Sequence, residues 1–208
     1  QSIGSKFNQI SSGNFSSVGC FSAHPLKNLN AFGDAGFITT NDKNIEKQIR
    51  IMANHGMKNR NRVKNFGYLS RLDNLQAGIL NYHIKNLNNI IKIRRNNAKI
   101  YKDNLDKKSI FFPKDEDRFF DSFHTFVIQV KKRDKLKRFL ENKNIGSSIH
   151  YPIPIHLHKA SSFLNYKVGD FPIAEKQSKS ILSLPINQFL SKKEIVYICN
   201  IVNSFYRN

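Results

Sequence analysis

The sequence is short of cysteine, of acidic residues and of long apolar runs. Cys20 and Cys199 are the only cysteines among 208 residues. They lie far apart in no pair-of-pairs pattern, which argues against a disulfide framework or a structural zinc site and fits a reducing cytoplasm. No stretch is apolar over the roughly 18 residues that a membrane helix needs. Nothing near Gln1 reads as a signal peptide. A soluble, cytoplasmic protein with no membrane insertion is expected. Acidic residues number 15 against 34 Lys and Arg, a net charge of +19. Such an excess raises nucleic acid, an anionic membrane surface or phosphorylated small molecules as partners. Here the basic residues are spread through 58–64, 92–99 and 131–138, beside abundant Asn and Ile, a composition that AT-rich coding produces. A nucleic-acid-binding module needs them clustered with interleaved aromatics. That module is the alternative this pattern supports least.

Enough apolar material is present to fold: 39% of the chain, including 17 Phe, which argues against wholesale disorder. The first forty residues are rich in Gly and Ser and hold two short apolar runs, 18–23 and 35–40. Each is flanked by Gly or turn residues and reads as a buried strand. Asn41-Asp42 offers an N-cap for a helix carrying Ile45, Ile49, Met52 and Ala53 at helical spacing. A polar, basic loop runs from about Asn54 to Phe66. From Leu72, residues Leu75, Ile79, Leu80, Ile84, Leu87 and Ile91 trace one helical face, which continues through Ala98, Tyr101 and Leu105 as one long connecting helix.

After Pro113 the character changes. His124, Phe126, Ile128 and Val130 alternate with polar residues as in a strand. Leu136, Phe139 and Leu140 suggest a short helix ended by Gly146, and 147–150 a second strand before Tyr151-Pro-Ile-Pro154. Ser191-Lys-Lys-Glu194 is a capping box ahead of Ile195, Ile198, Cys199, Val202 and Phe205. Strand, helix, strand, helix is an α/β arrangement.

One lysine stands out by position. Lys27 lies in the loop just after the first predicted strand, the end at which open α/β sheets place ligands. A lysine desolvated there can form an imine with a carbonyl. Ser22, five residues earlier, can bind a phosphate oxygen. Local features alone also suit a solvated loop lysine.

The run Cys20-Phe-Ser-Ala-His-Pro-Leu-Lys-Asn-Leu-Asn-Ala-Phe-Gly-Asp-Ala-Gly-Phe-Ile-Thr-Thr-Asn-Asp42 resembles the cofactor-lysine segment of the DegT/DnrJ/StrS-type nucleotide-sugar aminotransferases. Asn54-His-Gly56, Gly67-Tyr-Leu-Ser-Arg-Leu-Asp-Asn-Leu-Gln-Ala77, His150-Tyr-Pro-Ile-Pro-Ile-His156 and Leu182-Ser-Leu-Pro185 are similar to further family segments in the same order. The resemblance covers nearly the whole chain. It implies a type I aminotransferase-like α/β fold, present as a C-terminal portion. Residues 1–104 would be the end of the large pyridoxal-phosphate domain with the long helix, and 105–208 a small C-terminal α/β domain.

By the same resemblance, Lys27 would hold pyridoxal 5'-phosphate and shuttle the proton, Ser22 would bind the cofactor phosphate, and Gln1 would lie near the cofactor ring. The aspartate that pairs with the ring nitrogen would fall three residues before Gln1, so this portion alone is expected to be inactive. The implied reaction moves an amino group from L-glutamate to a nucleotide-linked keto-sugar, for surface polysaccharide or glycoconjugate, in a homodimer. A dehydratase or a non-catalytic regulatory paralogue is the alternative within the family; Lys27, where the dehydratase branch has histidine, speaks for transamination.

Arg71 suits a substrate phosphate, or equally an ion pair with Asp73. His24 packs near the cofactor, or is a surface or core histidine. Tyr151 and His156 resemble a substrate-proximal loop, with a rigid proline turn as the rival reading. His150, His156 and His158 have no common metal spacing, so no metal is expected. Leu69 departs from the family's usual Asn, which reaches the neighbouring subunit's cofactor phosphate; Ser70 or Arg71 could replace that donor. Ala35 and Gln188 stand where Gly and Pro are more usual.

Overall fold

Local chemistry accounts for most element boundaries in the computed structural model, which describes residues 1–207. In chain order the elements are β1 (Lys6–Phe7), β2 (Ile10–Ser11), β3 (Gly19–Ser22), β4 (Gly36–Thr39), α1 (Lys43–Met52), β5 (Met57–Asn59), β6 (Arg62–Val63), α2 (Asn74–His83) and α3 (Leu87–Asn104). There follow β7 (Ile110–Phe111), β8 (Phe119–Phe120), β9 (Phe126–Val130), α4 (Arg133–Glu141), α5 (Pro172–Ser180), β10 (Ile181–Leu184) and α6 (Lys192–Arg207). Short 3-10 turns occupy Ile84–Asn86, Ile155–Leu157 and Lys159–Leu164. No helix among the described residues is long and apolar enough to cross a membrane.

The chain forms two compact units, Gln1–Lys92 with Glu116–His124, and Ile93–Asp115 with the residues from Thr125 onward. The division therefore falls within α3, not after residue 104, and 116–124 returns to the first unit because β8 pairs with β1.

In the first unit, β3 and β4 pair antiparallel, Gly19 opposite Thr39 and Ser22 opposite Gly36. Phe21 and Phe37 stack at 5.1 Å on one face of this two-stranded ribbon. Only Gly19 is fully buried in it, so the expected buried strands are half-open ones: two strands alone cannot cover both faces. Asp42 caps α1 as its side chain predicts, Oδ1 accepting from Asn44 N–H at 2.7 Å and Ile45 N–H at 3.3 Å. The stretch expected as a plain basic loop contains the β5–β6 hairpin. Gly56 makes its base possible: φ is +73° and a Cβ would stand 1.6 Å from the Asn65 carbonyl oxygen.

The long helix is interrupted. A 3-10 turn at Ile84–Asn86 separates α2 from α3, immediately after His83, whose ring is bonded to the Asn30 carbonyl. Leu80, Leu87 and Ile91 nevertheless face one core with Ala23, Leu29 and Ala31.

The second unit is built on the antiparallel sheet β10-β9-β7. Central β9 alternates as predicted, with Phe126, Ile128 and Val130 buried. Leu136 and Leu140 of α4 and Ile195, Ile198, Cys199 and Val202 of α6 fill the same core. α4 ends earlier than expected, because Asn144 takes the left-handed turn (φ +57°) ahead of Gly146. The expected strand at 147–150 is a single bridge from Ser148 to Ser183. The capping box forms: Ser191 N–H donates to Glu194 Oε2 at 2.8 Å, and Glu194 N–H to Ser191 Oγ at 3.3 Å.

One face of α3 grips the segment after β10. Arg94 Nη1 donates to the Ile186 carbonyl at 2.9 Å, Asn97 Nδ2 to Asn187 at 2.8 Å and Tyr101 OH to Pro185 at 2.7 Å. Burial pushes the Tyr101 phenol far above its ordinary 10.0, so it remains a donor. Tyr101→Phe leaves the Pro185 carbonyl without that donor and should cost about 1–3 kcal/mol. Urea unfolding checks this; an unchanged midpoint would mean the bond contributes nothing.

Candidate active site

The Lys27 loop is built around one buried alanine. Ala23 N–H donates to the Ala35 carbonyl at 2.8 Å, and its own carbonyl accepts from Ala31 N–H at 2.9 Å. Residues 24–30 are thereby a loop closed at both ends on a residue with no solvent exposure. Inside it, Lys27 N–H donates to the His24 carbonyl at 2.8 Å. Leu26 N–H donates to His24 Nδ1 at 3.2 Å, which leaves the ring proton on Nε2 when the imidazole is neutral. His24 thus helps shape the turn that presents Lys27. Its own N–H reaches Ser22 Oγ at 3.4 Å, so the hydroxyl hydrogen stays available for donation.

Lys27 is half-buried, and the two residues after it are buried. Asn28 Nδ2 donates to the Ser122 carbonyl at 3.1 Å, and Ser122 is in turn bonded to Ser5. α2 holds the returning limb: Gln76 Oε1 accepts from Phe32 N–H at 2.9 Å, and His83 Nδ1 donates to the Asn30 carbonyl at 2.8 Å. Four residues unflagged by sequence, Asn28, Gln76, His83 and Ser122, therefore fix the loop. Of these, Asn28 and Gln76 lie in the quoted runs 20–42 and 67–77, whereas nothing in the sequence marked His83 or Ser122.

The backbone at Gln1 is partly covered and within electrostatic reach of Lys27. A cavity of about 850 Å³ opens between the β3–β4 ribbon and α1, lined by Ser22, Asp34, Ser70 and Arg71 among others. The first unit thus gathers Ser22 with Arg71 and Gln1 with Lys27. Leu69 is exposed and bridged to Asn54, whereas its neighbours Ser70 and Arg71 face the cavity that holds Ser22.

Tyr151 and His156 belong to the second unit. Tyr151 is 62% exposed. His156 differs from the expected substrate contact: its side chain is almost wholly covered, Nε2 lies 3.1 Å from Glu175 Oε1, and the ring packs on Phe171 at 4.7 Å. Glu175 also accepts from Gly169 N–H at 2.8 and 3.1 Å and from Phe171 N–H at 3.3 Å. The Nε2 edge of the ring is taken up by the Glu175 carboxylate, so His156 fastens the chain here.

The Gly169 N–H is the chief cause that holds the Glu175 carboxyl below its ordinary 4.5; burial opposes it, and His156 and Phe171 assist. A lowered folded value means that the group stabilises the unit fully above pH 4.5 and that this contribution is lost as pH falls through the folded value. An acid titration of the unfolding midpoint should show this loss in the native protein and lack it in Glu175→Gln. Identical acid limbs would refute the assignment.

A family model for DegT/DnrJ/EryC1/StrS aminotransferases matches residues 1–203. The chain is similar to a pleiotropic regulatory protein of Geobacillus stearothermophilus, 36% identical over 211 residues that cover 100% of this chain and 57% of that protein. It is also similar to the UDP-N-acetyl-3-dehydro-alpha-D-glucosamine 3-aminotransferase of Acidithiobacillus ferrooxidans, 35% identical over 97% of this chain and 54% of that enzyme. Among solved structures, DesV of S. venezuelae, in complex with a ketimine intermediate, matches with a TM-score of 0.93 at 29% identity over 99% of this chain and 56% of that one. A Brucella abortus aminotransferase of the same family matches at 0.93 and 30% identity, over 100% and 56%. The chain spans about half the length of the curated relatives it matches. The matched family is one of pyridoxal-phosphate enzymes. Family match and shared fold agree over almost every residue: the chain belongs to the DegT/DnrJ/EryC1/StrS aminotransferase family.

Proposed function

We propose that the protein transfers an amino group from L-glutamate to a nucleotide-linked keto-sugar, in amino-sugar biosynthesis for a surface polysaccharide or glycoconjugate. We place it in the cytoplasm as a homodimer. The observation that carries this reading is the closed 24–30 loop, which presents a half-buried lysine five residues after Ser22, whose hydroxyl keeps a free hydrogen.

The donor set fits a phosphorylated carbonyl compound. Lys27 supplies a primary amine for covalent attachment, and Ser22 supplies a hydroxyl donor at the carboxyl end of β3, where Arg71 lines the same cavity. Bound pyridoxal phosphate supplies the electron sink that lets a proton leave the carbon bearing the amino group. Lys27 Nζ would be the base that holds and returns that proton. Gln1 would lie near the cofactor ring, and the 24–30 loop holds the backbone of Lys27 in place because both its ends are pinned. Arg71 and Tyr151 are the proposed substrate contacts, with the exposed Nε2 edge of His24 beside the lysine. His156, almost wholly covered and tied to Glu175 through Nε2, is given an anchoring role instead.

The test is the visible absorption spectrum of the intact protein with pyridoxal phosphate, before and after L-glutamate. A lysine-bound cofactor band that glutamate converts to the aminated form supports the reading, and keto-sugar nucleotides should then reverse the change. A second reading, a regulatory protein of the same family, draws on the name of the Geobacillus relative and on Leu69. It predicts a stable band that glutamate leaves untouched.

A further inference from the structure

Tyr151 is the exposed middle of a strap tied down at both ends. On one side, His150 Nδ1 lies 2.9 Å from Ser183 Oγ, and Ser148 and Ser183 exchange backbone hydrogen bonds at 3.2 and 2.7 Å, so the chain is fastened to β10. On the other, His156 is fastened to Glu175 of α5. Pro152 and Pro154 lie between the two ties, and Pro154 is in the extended conformation its ring prefers (φ −61°, ψ 146°). Leu157 N–H donates back to the Pro154 carbonyl at 3.0 Å, so the stiff piece runs directly into the 3-10 turn that carries His156. A short, proline-stiffened strap transmits the position of its anchors to the residue it displays.

The second anchor is unusual in how much it holds. The Glu175 carboxylate takes His156 from the start of the 155–171 segment and Gly169 and Phe171 from its end. Phe171 is also flanked by the rings of His156 and Tyr166, at 4.7 and 5.0 Å. One anion thus closes a whole excursion onto α5. A hydrophobic contact would have served to bury the segment; a carboxylate receiving several directed bonds fixes where it sits.

We infer that Glu175 is a positioning residue: through His156 and the Pro152–Pro154 strap it sets where Tyr151 meets the nucleotide-linked substrate. This rests on the reading above that Tyr151 contacts that substrate. Glu175 touches no reacting atom, so its loss acts on substrate binding and spares the half-reaction with the amino donor.

The experiment compares wild type, Glu175→Gln, Tyr151→Ala and the double variant in the intact, cofactor-loaded protein. Glu175→Gln should raise KM for the nucleotide-sugar about tenfold while kcat and the glutamate half-reaction change by less than about twofold. In the Tyr151→Ala background it should add nothing further, because the residue it positions is gone. His156→Leu, which cuts the tie to the strap but leaves Glu175 on Gly169 and Phe171, should raise KM in the same direction. An unchanged KM, or an effect that persists without Tyr151, overturns the inference. Limited trypsin digestion gives a readout independent of activity: cleavage after Lys159 and Lys167 should quicken in Glu175→Gln at a temperature where the protein stays folded. Cleavage no faster than in wild type overturns the inference too. A wild type that takes up cofactor but never transaminates would instead sink the proposed function.

Discussion

Lys27→Ala should remove the lysine-bound cofactor band and lower the rate of amino transfer by at least about a thousandfold. The magnitude follows from two losses at once. A positioned acid or base is worth about 10²–10⁴ in rate, and the variant also loses the covalent attachment that holds the cofactor in register. The loop itself should survive, because its closing bonds come from the backbone of Ala23, Ala31 and residue 27 and from Asn28. Loss of activity with an unchanged unfolding midpoint is therefore the expected pair of results. Lys27→Arg should fail as badly, since a guanidinium stays protonated and cannot attack a carbonyl. Lys43→Ala, an exposed change at the start of α1, is the control and should behave as wild type. Appreciable transamination in Lys27→Ala would mean that another amine carries the cofactor.

Leu136→Ala should destabilise the second unit by about 2–5 kcal/mol. Leu136 is completely buried on α4, and α4 packs on β10 and α6. Removing its branched end leaves a cavity in a wall that β9 and α6 cannot collapse to fill. Against a total of roughly 5–15 kcal/mol for a domain, a loss of that size should lower the thermal midpoint by about 10 °C or more. Lys135→Ala, one residue away and exposed, should stay within about 0.5 kcal/mol. A Leu136 variant that unfolds with its control would show that α4 is not part of the core.

The two predictions differ in where their information lies. That Lys27 matters could be read from the run 20–42, because the residues around a covalent lysine are consecutive and their order is distinctive. That Leu136 is buried follows from its spacing to Leu140. The site's supports were not legible in the same way. Asn28 rests on Ser122, 94 positions on, and no local pattern marks a serine as a partner for a distant amide. His156 was grouped with Tyr151 by the motif they share, yet one faces solvent and the other Glu175, 19 residues downstream.

What the sequence determined by itself is whatever adjacent residues decide among themselves. Asp42 caps α1 and the Ser191–Glu194 box starts α6, because a side chain within three residues reaches its own helix's free N–H groups. Phe126, Ile128 and Val130 face inward, because strand period is a property of the backbone. Tertiary structure alone decided the rest: the 3-10 break after His83, the return of 116–124 to the first unit, the grip of Arg94, Asn97 and Tyr101 on 185–187, and the commitment of His156 to Glu175. Each joins groups far apart in the chain, and such pairings are selected by which buried polar groups find partners once the core has formed.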